Sequence, residues 1–138
     1  HFGEFFIKPF EKLVQGLKAL GAPVIMHNDG QIWDVLDDLV ATGIQGFHPV
    51  EKAAGMDLKI VKERYEGKLC PVGNVNNKTT MVTGTPEDVR AEVKECLEIA
   101  APGGGYIMST DHSLHDDIPS ENVHALIETT HKFGTYPL

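Results

Sequence analysis

Residues 23–30, PVIMHNDG, decide the interpretation of the fold, because an apolar run with β-branched residues ends there in polar side chains. The next residues, 32–41, place apolar side chains at positions i, i+3, i+4, i+7 and i+8, which predicts an amphipathic helix. Gly43 follows where a glycine favours the left-handed conformation of a helix end. This part of the chain is therefore predicted to be a strand followed by a helix.

The alternation of strand and helix continues along the chain. Three more short apolar runs occur, at residues 43–49, 68–75 and 105–110. Helical periodicity is present at residues 4–20, at residues 86–100 and after Ser120, and the Thr85–Pro86 pair with Asp88 is a start signal of the capping-box type. Because strands separated by helices do not form hairpins, we predict parallel strands with right-handed crossovers.

The spacing of the apolar runs favours half of a barrel. They start near residues 23, 43, 68 and 105, so successive runs begin 20, 25 and 37 residues apart. These spacings bracket the ~30 residues of one βα unit. The predicted fold is α/β, with four βα units of a (β/α)8 TIM barrel forming a single domain over residues 1–138. A small open, doubly wound sheet is the alternative.

Composition excludes several classes of protein. The chain has 138 residues, of which 41% are hydrophobic and 23% charged, as in one globular domain. The net charge of −8, without a basic cluster, argues against binding nucleic acid or an anionic membrane. No apolar run has the ~18–20 residues of a membrane span. Two cysteines are too few for a disulfide scaffold, so we expect a cytoplasmic location.

Polar side chains follow all four predicted strands. They are His27, Asn28 and Asp29 after the first, His48 and Glu51 after the second, Asn74, Asn76 and Asn77 after the third, and Asp111 and His112 after the fourth. The other ends of the strands carry glycine-rich connectors. Since chemistry in α/β folds gathers at the carboxyl ends of the strands, this asymmetry predicts an active-site face.

Several of these residues have an alternative, purely structural interpretation. His27 and Asp29 are two residues apart, so they share a face if the strand continues through them. The alternative is that both lie in a loop and face solvent without a function. Glu51 is a candidate metal ligand or general base, or else an ordinary loop residue. Asn74 serves architecture or substrate binding. Cys96 continues the apolar face of its helix and Cys70 lies inside a predicted strand, so both are expected in the core. No activating base is evident near either thiol, which argues against a nucleophile.

The segments that carry these residues resemble a known family. They are residues 23–30, 43–57 (GIQGFHPVEKAAGMD), 73–76 (GNVN), 84–93 (GTPEDVRAEV) and 103–122 (GGGYIMSTDHSLHDDIPSEN). In this order they resemble the carboxyl-terminal half of the uroporphyrinogen decarboxylase superfamily, which also contains zinc-dependent methyltransferases acting on corrinoid proteins. The resemblance implies a single (β/α)8 barrel, of which this chain corresponds to the last four units and the preceding helix.

The methyltransferase branch implies a metal site. Its zinc is held by a His-x-Cys after the fifth strand and a Cys after the eighth. His27 matches the histidine, while Asp29 and His112 stand where the two cysteines would be. The implied metal ligands are therefore His27, Asp29 and His112, a set that suits zinc or another divalent ion. Replacing thiolates by a carboxylate and an imidazole makes the metal a harder Lewis acid.

The decarboxylase branch uses no metal. The resemblance then implies that His112 binds the substrate's carboxylates, while the family's paired arginines, catalytic Asp and Tyr come from the amino-terminal half. Asn76 replaces the Asp of that family's GNVD element.

Three functions remain open from the sequence. The first is a metal-dependent methyltransferase-like enzyme that acts with a corrinoid or related methyl carrier. The second is a metal-free uroporphyrinogen decarboxylase of porphyrin biosynthesis, and the third is a non-catalytic half-barrel scaffold. The candidate residues for an enzyme are His112, His27 and Glu51 for catalysis and Asn74, Asn76 and His48 for substrate binding.

A half-barrel also implies a partner. Its first and last strands have unpaired edges, which are prone to pairing with other chains. We expect either an amino-terminal half-barrel or a second copy in a homodimer to complete the sheet. The expected substrate is a small molecule or a corrinoid protein.

Overall fold

The computed structural model describes residues 1–136 and has an alternating α/β architecture. Its helices are a π-helical turn at Gly3–Ile7, then α1 (Lys8–Ala19), α2 (Trp33–Ala41), α3 (Leu58–Arg64), α4 (Pro86–Ala100) and α5 (Ser120–Phe133), with a 3-10 turn at Lys52–Ala54 and a second π-helical turn at Asn77–Met81. The strands are β1 (Ile25–His27), β2 (Gly46–His48) and β3 (Cys70–Pro71). The predicted helix after Thr85 begins with a complete capping box, in which Thr85 and Asp88 bond each other's backbone N–H.

The sheet is parallel, as the sequence predicts. The strand order is β1-β2-β3, with Met26 opposite Phe47 and His27 opposite His48. Each crossover contains a helix, which is the arrangement of consecutive βα units in a barrel. This register sets the two histidines at the carboxyl ends of β1 and β2 side by side.

The predicted fourth strand, at residues 105–110, is not a regular strand. Two isolated parallel bridges, Val72 to Ile107 and Val75 to Thr110, join it to the segment after β3. Between the bridges the partner segment turns at Gly73, whose φ of 114° lies outside the strand region. The ladder is broken at that turn, yet the segment still lies beside β3 and delivers His112 to the same edge as the other strand ends.

The core lies between one face of the sheet and the helices. Phe47 of β2 is fully buried there, together with Leu36 of α2 and Val93 of α4. Along β1 the side chains alternate, and Ile25 and His27 lie on the other face, where Ile25 is 50% exposed. In a closed barrel this face is the interior, so its exposure is what a half-barrel requires.

The apolar side predicted for the first helix is largely exposed. Leu13, Leu17 and Leu20 all lie on the surface, and Val14 is the residue of α1 that enters the core. Periodicity locates an apolar stripe but does not say what covers it. Within residues 1–136 nothing buries this stripe, which leaves it available to further parts of a barrel.

Candidate active site

Three sequence-distant side chains meet at the carboxyl edge of the sheet. Asp29, Glu51 and His112 each offer one ligand atom, and these atoms all lie within 4.8 Å of one another. His112 Nδ1 is 3.7 Å from Asp29 Oδ1, and His112 Nε2 is 3.4 Å from Glu51 Oε1. We call these three residues the carboxylate–histidine cluster.

Asp29 lies in a short loop that Glu51 holds in place. The backbone N–H of Asn28 donates to the carbonyl of His48 at 2.9 Å, which ends the pairing of β1 with β2. Gly30, at a φ of 97°, turns the chain, and its N–H donates to Glu51 Oε2 at 2.9 Å. A left-handed residue is required at this turn, which explains the glycine. The carboxylate of Asp29 therefore projects beside the other members of the cluster.

Glu51 is the most enclosed member of the cluster. Its side chain is only 12% exposed, and the carboxylate has one oxygen on the Gly30 N–H and the other toward His112. Its carbonyl accepts from the N–H groups of Ala54 and Met56, so the backbone at this position is fixed by the 3-10 turn. A carboxylate held in this way loses little side-chain entropy when it binds a ligand.

The loop after residue 110 delivers His112. The N–H of Asp111 donates to the carbonyl of Val75 at 2.9 Å, and Thr110 Oγ1 donates to the carbonyl of His112 at 2.6 Å. The side chain of Asp111 turns inward and accepts the N–H of Asn77 at 2.8 Å, and burial raises the pKa of this carboxyl group. Asp111 thus anchors the loop behind the cluster and does not face it.

His27 and His48 form a pair next to the cluster. Their Nδ1 atoms are 2.8 Å apart, and His27 Nε2 is 3.3 Å from Asp29 Oδ1. His48 Nε2 is 3.1 Å from the carbonyl oxygen of Thr110. Of the sequence-predicted metal ligands, Asp29 and His112 belong to the cluster, while His27 contacts only Asp29 of its members and lies outside the group of mutually close ligand atoms. Glu51 takes the third place in the cluster.

The donor set fits a divalent cation. Two carboxylates and an imidazole, with a second imidazole beside them, are ligands that zinc and similar borderline ions accept. Ligand atoms of one tetrahedral ion with bonds of about 2.0–2.1 Å stand about 3.3 Å apart. The 3.4 Å between His112 Nε2 and Glu51 Oε1 is of this size, whereas Asp29 Oδ1 lies 3.7 Å from the other ring nitrogen of His112, Nδ1.

Asn74 and Asn76, the predicted substrate-binding amides, lie outside the cluster. Buried Asn74 donates from Nδ2 to the carbonyl of Val50 at 2.8 Å, and its Oδ1 accepts from the thiol of Cys96 at 3.4 Å. Asn76 Oδ1 accepts the N–H of Thr79 at 2.8 Å and so caps the second π-helical turn. Both side chains are engaged by the protein itself.

Burial makes both cysteine thiols poorly reactive. Cys96 is in the core, as expected, and burial raises the pKa of its thiol to about 11. Cys70 of β3 is only partly buried, so its predicted place in the core is wrong, although burial still raises the pKa of its thiol. A thiol whose pKa is raised carries little thiolate at neutral pH and is a poor nucleophile or ligand.

Some groups that build the cluster carry no side-chain signal in the sequence. The Gly30 N–H and the Thr110 carbonyl are backbone groups, so the identity of a side chain does not reveal them. The glycine after Asp29 is a weak hint of the turn, whereas nothing in the sequence marks the carbonyl that fixes His48.

This chain is similar to known proteins over most of its length. A family model described as uroporphyrinogen decarboxylase (URO-D) matches residues 1–133. A uroporphyrinogen decarboxylase of Pseudoalteromonas translucida is 29% identical over 96% of this chain, and the methylcobamide:CoM methyltransferase MtbA of Methanosarcina acetivorans is 27% identical over 91%. The match spans 37% of the first protein and 36% of the second.

A solved structure supports the fold assignment. A methyltransferase from Methanosarcina mazei superposes with a TM-score of 0.78 at 25% identity, covering 97% of this chain and 37% of the other. The chain thus spans a little over a third of the proteins that it matches. In the part of the chain that the structure describes, no helix is both long and apolar enough to cross a membrane.

Proposed function

The chain belongs to the uroporphyrinogen decarboxylase family, and on that premise we propose that it contributes the metal centre of a methyltransferase-like enzyme acting with a corrinoid or related methyl carrier. The observation that carries this proposal is the carboxylate–histidine cluster, whose ligand atoms lie within 4.8 Å of one another. The similarity to the methyltransferases of two Methanosarcina species supports it.

Asp29, Glu51 and His112 would hold the metal, with His27 beside them. A divalent ion bound there would act as a Lewis acid that polarises a methyl acceptor. The Gly30 N–H keeps the Glu51 carboxylate in place, and the loop anchored by Asp111 positions His112. Two carboxylates make this a harder centre than one with thiolate ligands, so an oxygen-bearing acceptor suits it as well as a thiol.

The remainder of the active site is proposed to come from further βα units. The chain spans about 37% of its relatives, and the interior-facing side of its sheet is exposed at Ile25 and Ile107. Four more units, from a longer chain or from a second copy, would cover that face and close the barrel. Substrate-binding residues from these units would then face the cluster across the barrel mouth.

A metal-free decarboxylase is the second candidate function. It is favoured by the similarity to the uroporphyrinogen decarboxylase of Pseudoalteromonas translucida. In that case His112, which is partly exposed at the strand ends, would contact a carboxylate of the substrate, and the two acidic residues beside it would have to be offset by positive charge from elsewhere.

An activity measurement with and without a chelator separates the candidates. The whole protein is incubated with methylcobalamin and a panel of thiol and hydroxyl acceptors, and demethylation is followed by the visible spectrum. We expect a turnover that falls at least 10-fold after chelation and returns when zinc is restored, because the metal would polarise the acceptor.

The parallel assay uses uroporphyrinogen and measures loss of carboxyl groups. Decarboxylation that is insensitive to the chelator would replace the proposal by the second candidate. Inactivity in both assays would favour the non-catalytic scaffold.

A further inference from the structure

The two ring nitrogens of His48 have different partners. Nε2 lies 3.1 Å from the carbonyl oxygen of Thr110, and Nδ1 lies 2.8 Å from Nδ1 of His27. A carbonyl oxygen only accepts hydrogen bonds, so His48 Nε2 must carry a proton and donate it. In a neutral ring the other nitrogen, Nδ1, then bears a lone pair and accepts.

This assignment fixes the role of the neighbouring ring. Because His48 Nδ1 accepts, His27 Nδ1 must be the donor of the 2.8 Å contact. Neutral His27 then has its lone pair on Nε2. That atom is 3.3 Å from Asp29 Oδ1, which is also an acceptor. Two lone pairs at this distance repel each other, and the repulsion is removed either by a second proton on His27 Nε2 or by a cation held by the carboxylate–histidine cluster.

We propose that His48 is a positioning residue that holds His27 as the Nδ1–H tautomer and so presents His27 Nε2 as a fourth ligand to the metal of the carboxylate–histidine cluster. This inference rests on the proposed metal centre. Outer-shell partners of metal-binding histidines commonly act in this way, by fixing the tautomer and the orientation of the ring.

The same contacts argue against His48 as a substrate-binding residue. Both of its nitrogens are engaged within the protein, one by a backbone carbonyl and one by His27. A substrate would have to displace one of these partners to bond the ring. His48 therefore acts on chemistry through His27, which is more exposed and lies nearer the cluster.

The test compares two substitutions of His48 in the whole protein. His48→Phe keeps a flat ring but removes both nitrogens, whereas His48→Asn retains an acceptor near the position of Nδ1. We expect His48→Phe to weaken Zn²⁺ binding about 10–100-fold in a competition titration. His48→Asn should restore affinity to within about 3-fold of the unmodified protein, and His124→Phe, which replaces an exposed histidine of α5, should change nothing.

A nitrogen NMR measurement on histidine-labelled protein reads the tautomer directly and does not depend on activity. We expect a proton on Nδ1 of His27 in the zinc-loaded protein, and a shift of that population in His48→Phe. The ligand-field spectrum of the Co²⁺ form should change in His48→Phe and return in His48→Asn.

Three results would overturn the proposal. They are a zinc-loaded protein whose His27 carries its proton on Nε2, an unchanged zinc affinity in His48→Phe, and a His48→Asn variant as weak as His48→Phe. If the unmodified protein binds no zinc, the metal centre itself is wrong. In that case the tautomer of His27 in the unmodified protein still tests the role of His48 separately. A proton on Nδ1 of His27 would show that His48 fixes this ring without a metal, and a proton on Nε2 would show that it does not.

Discussion

Replacing Glu51 by glutamine should lower the affinity of the protein for zinc by more than the ~10–100-fold that loss of an outer-shell partner costs. The amide oxygen can still accept the Gly30 N–H, so the loop that carries Asp29 keeps its anchor. What is lost is a negative charge 3.4 Å from His112 Nε2. The expected result is therefore a folded protein without stoichiometric metal.

The measurement is a Zn²⁺ competition titration beside thermal unfolding of the metal-free protein. Glu66→Gln is the matched control, because Glu66 is an exposed carboxylate remote in sequence from the cluster residues. It should leave both the affinity and the melting temperature unchanged. Wild-type zinc affinity in Glu51→Gln would contradict the assignment of Glu51 as a ligand.

Replacing Asn74 by alanine should destabilise the fold by about 2 kcal/mol, since the buried carbonyl of Val50 loses its partner. The thiol of Cys96 loses its acceptor at the same time. Asn76→Ala removes only a cap at the surface and should cost about 1 kcal/mol. Urea unfolding of the whole protein measures both free energies.

This pair of variants also distinguishes architecture from substrate binding at Asn74. A structural role predicts a lower unfolding free energy with an unchanged KM in whatever reaction the whole protein performs. An Asn74→Ala variant of unchanged stability and raised KM would instead support the substrate-binding role predicted from the sequence.

The alternating pattern of runs was sufficient to predict the class of fold. The apolar run before His27 and the amphipathic stripe after it form β1 and α2, and the start signal at Thr85 begins α4. Parallel strands bring their carboxyl ends to one edge, so grouping His27, His48 and Glu51 required only the order of elements. The family model confirms the resemblance that these residues carry.

Finer features depend on contacts that a single sequence does not record. The segment at residues 105–110 is apolar enough for a strand, but the turn at Gly73 interrupts its ladder. The exposed stripe of α1 has the same periodicity as a buried one, because periodicity reports a face and not its neighbour.

The distances between the site residues are also only partly predictable from the sequence. Sequence spacing placed His27 and Asp29 together because they are two residues apart, whereas Glu51 approaches His112 from 61 residues away. The orientation of His27 depends on His48, and that of His48 on a backbone carbonyl. Cross-strand distances of this kind follow from register, which the composition of the individual strands does not fix.

The central claim is that a metal ion belongs to the carboxylate–histidine cluster. Elemental mass spectrometry of the whole protein after dialysis, beside Asp29→Ala and His112→Ala variants, tests it most directly. The account predicts about one divalent ion per chain in the wild-type protein and its loss in both variants. Wild-type protein free of metal, or variants that retain a full complement, would contradict it.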